Sequence, residues 1–309
     1  MSFTSNVKNE ILKIKPNDVG NVSELSAIIS CGSMIDDNIK ITTENAGVAR
    51  HIYSLLKDLF NIHPNITVRK GYNYNKSLLY ILEVKKSISF LESLGLYNKK
   101  RLVIPESFIV DDPDIIKNYL KGVFLMCGSI NDPKTSRYHL EFVVDNVDYA
   151  SFISSLLNTY YLNSKVLKRD NKYMIYIKEA EKISDFLRII NATSSLFYYE
   201  DIRIYRDHKN MTNRLNNCEQ ANVDKVIETA NSQLKDIDLI EKYAGIDLLD
   251  EKEKIAITYR KKYPEASLGE LSEIITIETS FPITKSGLHH RFQKIKDLAS
   301  KIKEKENIK

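Results

Sequence analysis

The chain has 309 residues with ordinary shares of hydrophobic (43%) and charged (28%) residues, enough for two or three domains with cores of their own. No run approaches the ~20 apolar residues of a membrane span, so we expect no membrane segment. The amino-terminal residues, which include Lys8 and Glu10, have an amphipathic pattern, so we expect no signal peptide. The net charge is only +4, and the three cysteines form no CxxC pair. A nucleic-acid partner would therefore need positive charge concentrated in one region, and we expect a reducing, cytoplasmic compartment.

The amino-terminal part of the chain contains an internal repeat. Residues 25–33 match residues 121–129, including a shared Cys-Gly-Ser, and residues 80–86 match residues 176–182. The members of both pairs are 96 residues apart, whereas matched segments between these pairs are 101 residues apart. The spacing therefore returns to 96 after an insertion and a deletion. Chance similarity does not recover its register. We infer a duplicated unit of about 100 residues, the size of a small domain.

Each copy shows the same order of predicted elements. A short helix ends at Cys-Gly-Ser and is followed by a hairpin-like stretch, an amphipathic helix, two further strands around a polar turn, and a closing helix. The closing helices begin near Lys85 and Ala180. The predicted strands that can be delimited cover residues 39–43, 66–69, 78–84, 138–144, 165–169 and 173–178. The predicted fold class is α+β: a duplicated αββαββα domain with two antiparallel four-stranded sheets, followed by an all-α domain.

The first helix of each copy is rich in small residues. Ser26, Ala27 and Ser30 occur in the first copy, and Gly122 and Gly128 in the second. A glycine inside a helix costs about 1 kcal/mol relative to alanine, and close packing of two helices would compensate for it. We therefore predict that these two helices pack against each other, with residues 22–196 folding as one pair of repeats. The alternative is that each helix packs only on its own sheet.

Repeated αββαββα units that open on such a helix resemble the LAGLIDADG homing endonuclease fold. The resemblance implies a metal-binding carboxylate at the positions that Cys31 and Cys127 occupy here. A thiol is a poor ligand for Mg²⁺, so we predict that the fold is retained and the nuclease activity lost. Asp36, Asp37 and Asp132 are downstream alternatives, but they fall in predicted turns, where aspartate is common for backbone reasons. We expect the two thiols to be buried at the helix interface, without a reactive or metal-binding role.

The segment over residues 201–222 is polar, rich in asparagine and locally basic. It is either a hydrated linker or edge strand, or an element that touches DNA phosphates. The candidate phosphate contacts are Arg203, Arg206, Lys209 and Arg214.

The remainder of the chain is predicted to be helical. A helix capped by Asp250 ends before Pro264, and Ser267 with Glu270 forms a capping box that starts the next helix. The helices predicted before that proline cover residues 222–234, 238–244 and 251–262. The predicted domains are therefore two repeats over 1–98 and 99–200, a basic polar linker over 201–222, and a helical DNA-binding domain over 223–309.

A helix-turn-helix is predicted at about residues 267–301, with its second helix opening at Thr284. Leu288, Phe292, Ile295 and Ile302 form its buried stripe, while its other faces carry six basic side chains against one acidic side chain. Compact hydrogen-bonding side chains near the start suit a major groove, and basic flanks suit phosphates. The predicted DNA-binding set is Thr284, Lys285, Ser286, His289, His290, Arg291, Gln293 and Lys294, of which Arg291 and Lys294 are assigned to phosphates.

Nearly the full chain resembles the WhiA family. Besides the two Cys-Gly-Ser repeats, the matching strings cover residues 43–46, 133–141, 200–207, 217–222 and 283–291. The resemblance implies a degenerate LAGLIDADG-like domain with a carboxy-terminal helix-turn-helix, in a DNA-binding transcriptional regulator connected with cell division and chromosome segregation. In spore-forming actinobacteria it implies sporulation genes as well, but the composition, heavy in lysine and asparagine, suggests an AT-rich genome and favours cell division.

The expected partners are double-stranded DNA in promoter regions and a partner transcription factor or RNA polymerase. No membrane partner and no cofactor are expected, and the protein should be cytoplasmic and associated with the nucleoid. Two other functions remain open: an active metal-dependent DNA endonuclease, and a protein-binding scaffold of the division machinery. Cleavage of DNA would indicate the first, and negligible affinity for duplex DNA at low salt the second.

Overall fold

The computed structural model divides the chain into two compact units, Met1–Asp207 (unit 1) and His208–Lys309 (unit 2). Unit 1 contains the repeated α/β elements and unit 2 is helical. The residues that the structure describes are 2–14, 17–35, 38–70, 78–135, 137–279 and 281–306.

Unit 1 begins with a helix that precedes the first repeat. The elements of this part are α1 (Phe3–Ile11), α2 (Asp18–Ser30), β1 (Ser33–Ile35), β2 (Asn38–Thr43), α3 (Ala46–Phe60), β3 (Asn65–Lys70), β4 (Leu78–Lys85) and α4 (Ile88–Ser93). Side-chain oxygens of Asn17, Asn45 and Ser87 accept backbone N–H groups at the starts of α2, α3 and α4. These caps fix where each helix begins, because they satisfy donors that the helix itself leaves unpaired.

A small hairpin, β5 (Tyr97–Asn98) with β6 (Lys100–Arg101), leads to the second repeat. The elements of the second repeat are α5 (Pro113–Cys127), β7 (Gly128–Ile130), β8 (Leu140–Val144), α6 (Val147–Thr159), β9 (Lys165–Arg169), β10 (Lys172–Ile177) and α7 (Ala180–Ile189). Asp112 and Asn146 cap α5 and α6 in the same way as their counterparts in the first repeat.

Each repeat forms one antiparallel four-stranded sheet. The strand orders are β1-β2-β4-β3 and β7-β8-β10-β9, so the two copies share one topology. Ile41 pairs with Leu82 in the first sheet and Phe142 with Ile175 in the second, and all four side chains are buried. The predicted fold class, a duplicated αββαββα unit with two such sheets followed by a helical region, is confirmed.

The small residues bring α2 and α5 into close contact. A Cβ atom placed on Gly122 would lie 2.5 Å from the carbonyl oxygen of Glu24 and 2.9 Å from the Cβ of Ala27. The Ser26 hydroxyl donates to the carbonyl of Leu94 at 2.8 Å, which satisfies a polar group in this interface. Both repeats contribute to one hydrophobic core. The predicted packing of helix against helix is therefore confirmed.

A buried charge network crosses the same helix pair. Glu24 on α2 is fully buried and accepts from His51 Nε2 at 2.8 Å and from Lys121 Nζ at 3.0 Å. Lys121 also donates to the carbonyl oxygen of Ile14 at 3.1 Å. Because buried charges are tolerated only when paired, this network ties α2, α3 and α5 together.

A single long helix, α8 (Thr193–Tyr243), follows the repeats, and the boundary between the units falls within it. The prediction of an edge strand in 201–222 is wrong, and so is the break predicted between residues 234 and 238. Residues 193–243 contain neither proline nor glycine, and asparagine lowers helix propensity only modestly. The helix starts at the Glu10 carboxylate, which accepts from the backbone of Ser194 at 2.5 Å and Ser195 at 2.9 Å. It ends before Gly245, whose φ is +77°.

Unit 2 continues with α9 (Glu251–Lys262), α10 (Leu268–Thr279) and α11 (Lys285–Lys305). The capping box predicted at Ser267 and Glu270 is present: the Ser267 backbone donates to Glu270 at 2.8 Å, and the Glu270 backbone donates to the Ser267 hydroxyl at 3.2 Å. Asp250 caps α9 as predicted. The core side chains are Ile237, Ile240, Ile257, Leu271, Ile275, Leu288, Phe292, Ile295 and Ala299. Of the helices built from described residues, none is long and apolar enough to cross a membrane.

Candidate functional site

The orientation of α11 in unit 2 is determined by its buried stripe. Leu288, Phe292 and Ile295 are each at most 4% exposed. The side chain of Arg260, 1% exposed, supports this stripe: its guanidinium lies 5.5 Å from the centre of the Phe292 ring and donates to the carbonyl of Ala266 at 2.6 Å. A buried arginine with defined acceptors holds α9, α10 and α11 in one arrangement.

The start of α11 is capped by its own loop. The Thr284 hydroxyl accepts from the Gly287 backbone at 3.1 Å, and the Thr276 hydroxyl accepts from the Ile283 backbone at 3.1 Å. The loop between α10 and α11 is therefore hydrogen-bonded at both ends, as a rigid helix-turn-helix requires.

Most of the predicted DNA-binding set is exposed on α11. Only Arg291 is half-buried. The exposed members are Thr284, Lys285, Ser286, His289, His290, Gln293 and Lys294.

The flanks of α11 are engaged with neighbouring helices of unit 2. Arg291 donates to the carbonyl of Lys252 at 3.3 Å, and Lys294 lies 3.5 Å from the carboxylate of Glu253, both at the start of α9. On the other flank, His289 and Gln293 line a cleft of about 310 Å³ against α8. Ser286 and His290 thus lie on the exposed face between the two flanks.

The basic residues predicted to touch phosphates differ in their surroundings. Arg203 lies 2.8 Å from the carboxylate of Glu200 and 3.4 Å from that of Glu181. Arg206 donates to the carbonyls of Pro133 at 2.7 Å and Thr135 at 2.5 Å. Both arginines therefore stabilise unit 1.

Lys209 and Arg214 differ from these two arginines. Both side chains are exposed, and within the described part of the chain neither has an ion pair or hydrogen-bond partner. These two remain available to an external anion.

The cysteines of the two repeated Cys-Gly-Ser sequences lie together at the ends of α2 and α5. Cys31 follows the last residue of α2, and Cys127 is the last residue of α5. Both are half-buried rather than buried, which corrects the expectation from the sequence. The reason is that both line an open cleft of about 380 Å³, which also includes Tyr149, Arg101 and Lys172.

Hydroxyl and thiol groups surround this pair. Cys31 Sγ lies 3.8 Å from Tyr149 Oη, which lies 3.0 Å from Tyr119 Oη. The hydrogen bond with Cys127, together with burial, raises the pKa of Cys31. Burial likewise raises the pKa of Tyr119 and of Tyr149. The pKa of the nearby Lys8 is lowered to about 8 by burial, although its interactions with both thiols oppose that change.

Of the three aspartates considered as downstream alternatives, Asp132 is described and does not line the cysteine cleft. Asp132 accepts from the Lys134 backbone at 2.9 Å in a turn, as predicted, and lines a different cleft beside Glu10. Asp36 and Asp37 lie outside the described residues. Asp145 lines the cysteine cleft but is paired with Lys172 at 3.4 Å. Among the described residues, no group of three or more His, Cys, Asp and Glu side chains could hold a metal ion.

The sequence did not identify three features of unit 1: the Lys8 cation, the Glu10 cap of α8 and the buried network of Glu24. The amphipathic pattern at residues 8 and 10 was the only local signal, since the partners of these side chains are distant along the chain.

Comparison with known proteins agrees with this architecture. Three family models match: the WhiA N-terminal LAGLIDADG-like domain over residues 21–97, the WhiA LAGLIDADG-like domain over 116–209, and the WhiA C-terminal HTH domain over 212–299. A protein of Staphylococcus aureus named "Probable cell division protein WhiA" is 42% identical over 316 residues, covering 100% of this chain and 99% of that protein.

Solved structures agree with the fold. The crystal structure of full-length WhiA from Thermatoga maritima has a TM-score of 0.59 at 22% identity, covering 97% of this chain and 99% of that one. A crystal structure of the N-terminal LAGLIDADG domain of WhiA has a TM-score of 0.52 at 23% identity, covering 61% of this chain and 90% of that one. With the repeated sheets, the paired helices and the helix-turn-helix all in place, and with a relative this similar over its whole length, the chain belongs to the WhiA family.

Proposed function

We propose that this protein is a DNA-binding transcriptional regulator that takes part in cell division, binds promoter DNA through the helix-turn-helix of unit 2, and does not cleave it. The orientation of α11 carries the proposal. Because Leu288, Phe292 and Ile295 are buried, the polar and basic side chains near the start of the helix are exposed. The start of the second helix is the part that enters the major groove in helix-turn-helix proteins.

Base reading is assigned to the exposed side chains near the start of α11. Ser286 and His290 lie on the face between the two flanks and are the first choices, because neither is taken up by α8 or α9. Lys285, His289 and Gln293 complete the set, although Gln293 also donates to Asp297 at 3.1 Å. Short polar side chains can donate to and accept from base edges in the major groove.

Phosphate contacts are assigned to the cations around this face. Thr284 caps the helix start, where exposed N–H groups attract a phosphate. Arg291 and Lys294 would exchange their contacts with α9 for phosphate oxygens. Lys209 and Arg214 are stronger candidates than Arg203 and Arg206, because the latter two are used inside unit 1.

The absence of nuclease activity rests on Cys31 and Cys127. A metal-dependent mechanism needs carboxylate oxygens to hold Mg²⁺, and thiols do not provide them. Supercoiled plasmid incubated with the protein and Mg²⁺ or Mn²⁺ should stay supercoiled. Nicking that is lost in an Asp145→Asn variant, with Asp148→Asn as the matched control, would support the endonuclease alternative instead.

The cellular role comes from the relatives, whose names refer to cell division. On that basis we assign the protein to cell division. Chromosome segregation is added from the family resemblance, and an association with the cytoplasmic nucleoid follows from the proposed DNA binding. A sporulation role is not favoured by the composition. A partner transcription factor or RNA polymerase is the expected protein contact at promoters.

A binding titration at several salt concentrations tests the DNA proposal. Fluorescently labelled promoter duplexes, chosen by genome-wide mapping of bound DNA, are compared with shuffled duplexes. His290→Ala should weaken binding to the preferred site by about 1–3 kcal/mol and leave shuffled DNA unaffected. Lys294→Ala should weaken binding to all duplexes and reduce the salt slope by about one unit. Lys305→Ala is the matched control, because it lies at the other end of α11, about 16 Å along the helix axis from Lys294.

Other outcomes would select a different function or surface. Negligible affinity for duplex DNA at low salt would favour the protein-binding scaffold. If the double variant Ser286→Glu/His290→Glu binds its target as tightly as the parent, α11 is not the recognition helix. The basic, fully exposed edge strands β3 and β9 would then be the surface to test, beginning with Lys168 and Arg169.

A further inference from the structure

We propose that Cys31 and Cys127 form a redox-active dithiol, which a small peroxide entering the adjacent cleft converts to an intramolecular disulfide that joins the two repeats. This inference concerns a modification of unit 1 and is independent of the DNA-binding proposal.

The first support is the position of the two thiols. They lie at equivalent places in the two repeats, at the ends of helices that pack closely at Gly122. Both are free thiols, and both line the same cleft. Two thiols that face one cleft can approach the S–S distance of about 2.0 Å by rotation of their side chains.

The second support is access. Both cysteines line the cleft of about 380 Å³, and both residues are half-buried, so the cleft leads from solvent to this pair. Hydrogen peroxide is hardly larger than water and fits this space. The walls of the cleft carry Arg101, Lys172 and one carboxylate, Asp145, which pairs with Lys172. Arg101 is left to favour negative charge within the cleft.

The third support is a partly buried cation near the pair. Lys8 on α1 lies with its ammonium 5.6 Å from the centre of the Phe124 ring, one helical turn before Cys127, and it interacts electrostatically with both thiols. The carboxy-terminal ends of α2 and α5 carry partial negative charge, which disfavours a thiolate. Lys8 offsets that effect and favours the thiolate that attacks a peroxide.

The reaction balances with peroxide as the oxidant. The Cys127 thiolate attacks one peroxide oxygen, the O–O bond breaks, and the released hydroxide takes a proton from the Lys8 ammonium to become water. Cys31 then attacks the sulfur of the sulfenic acid at Cys127, the S–O bond breaks, and hydroxide leaves with the Cys31 proton as a second water. Two electrons pass from the sulfurs to the peroxide. Cys31 is assigned the second step because its raised pKa keeps its proton in place.

Alkylation and mass spectrometry on the full chain test the site. The Cys218→Ser background removes the third, exposed thiol, which could form disulfides between molecules. Hydrogen peroxide at pH 8 should make both remaining thiols unreactive to iodoacetamide together, yield a peptide pair linked through Cys31 and Cys127, and raise the unfolding temperature. Dithiothreitol should restore both thiols. In the Cys127→Ser/Cys218→Ser variant no linked peptide should form.

The role of Lys8 is tested by rate. Lys8→Met should slow the loss of thiols by about tenfold, because it removes the cation that favours the thiolate. Lys13→Met, an exposed lysine just after α1, is the matched control and should react like the parent. The proposal is overturned if both thiols stay alkylatable under conditions that oxidise Cys218 in the parent, or if Cys127 is oxidised to a sulfinic acid without joining Cys31. Equal rates for Lys8→Met and the parent would overturn the role of Lys8.

Discussion

Replacing Gly122 with alanine tests the contact between α2 and α5. In an unpacked helix the change stabilises by about 1 kcal/mol, because glycine has the larger entropy to lose. At position 122 the added methyl group would lie 2.5 Å from the carbonyl oxygen of Glu24 and 2.9 Å from the Cβ of Ala27. A backbone oxygen cannot rotate away, so the helices must separate.

The expected size follows from these two opposing effects. Overpacking of this kind costs about 1–3 kcal/mol, and contact with backbone indicates the upper end of that range. After subtraction of the propensity gain, Gly122→Ala should lower the free energy of unfolding of unit 1 by about 2 kcal/mol, using the costs above. For a unit of this size the Tm should fall by roughly 4–8 °C.

Calorimetry of the variant and of a matched glycine measures this effect. Gly269 on α10 has only the Ser267 hydroxyl near its added Cβ, at 3.7 Å. Gly269→Ala should therefore stabilise unit 2 by up to about 1 kcal/mol, the opposite sign. If Gly122→Ala melts at or above the parent temperature, the two helices do not meet as closely as described here.

Three further outcomes are expected. Glu24→Gln should destabilise unit 1 by about 3 kcal/mol in denaturant unfolding, because it leaves the buried Lys121 ammonium without its carboxylate. Adding Lys121→Met should recover part of this loss. Ser267→Ala should lower the unfolding free energy of unit 2 by about 1 kcal/mol through loss of the capping box, whereas Ser300→Ala on α11 should have little effect. Burial lowers the pKa of Lys8 to about 8 in the folded state, so above that pH the unfolded chain binds more protons than the folded chain. The free energy of unfolding should therefore rise between pH 8 and pH 10 in the parent but not in Lys8→Met.

Local features of the sequence were sufficient for most of the fold. The repeat, the strand alternation and the caps at Asp250 and Ser267 depend on residues a few positions apart, and each reappears in the structure. The buried stripe of α11 follows from helical periodicity, so the exposed face of the candidate recognition helix could be predicted as well.

Contacts between distant residues decided the rest. The asparagine-rich segment resembles a loop by composition, yet it is helical, because Glu10 caps the start of α8 from 184 residues away and no helix breaker follows before Gly245. Arg206 lies in a basic segment that suggested a phosphate contact. In the structure its guanidinium instead donates hydrogen bonds to two backbone carbonyls of the second repeat.

The cysteine pair shows the same division. The sequence by itself determined that Cys31 and Cys127 occupy equivalent positions in the two repeats, because a repeat aligns such positions. Only the tertiary structure decided that both side chains line one cleft and lie near Lys8. The burial, charge and accessibility of a site depend on which distant segments the core brings together. Periodicity along one segment cannot predict these properties, because it depends only on nearby residues.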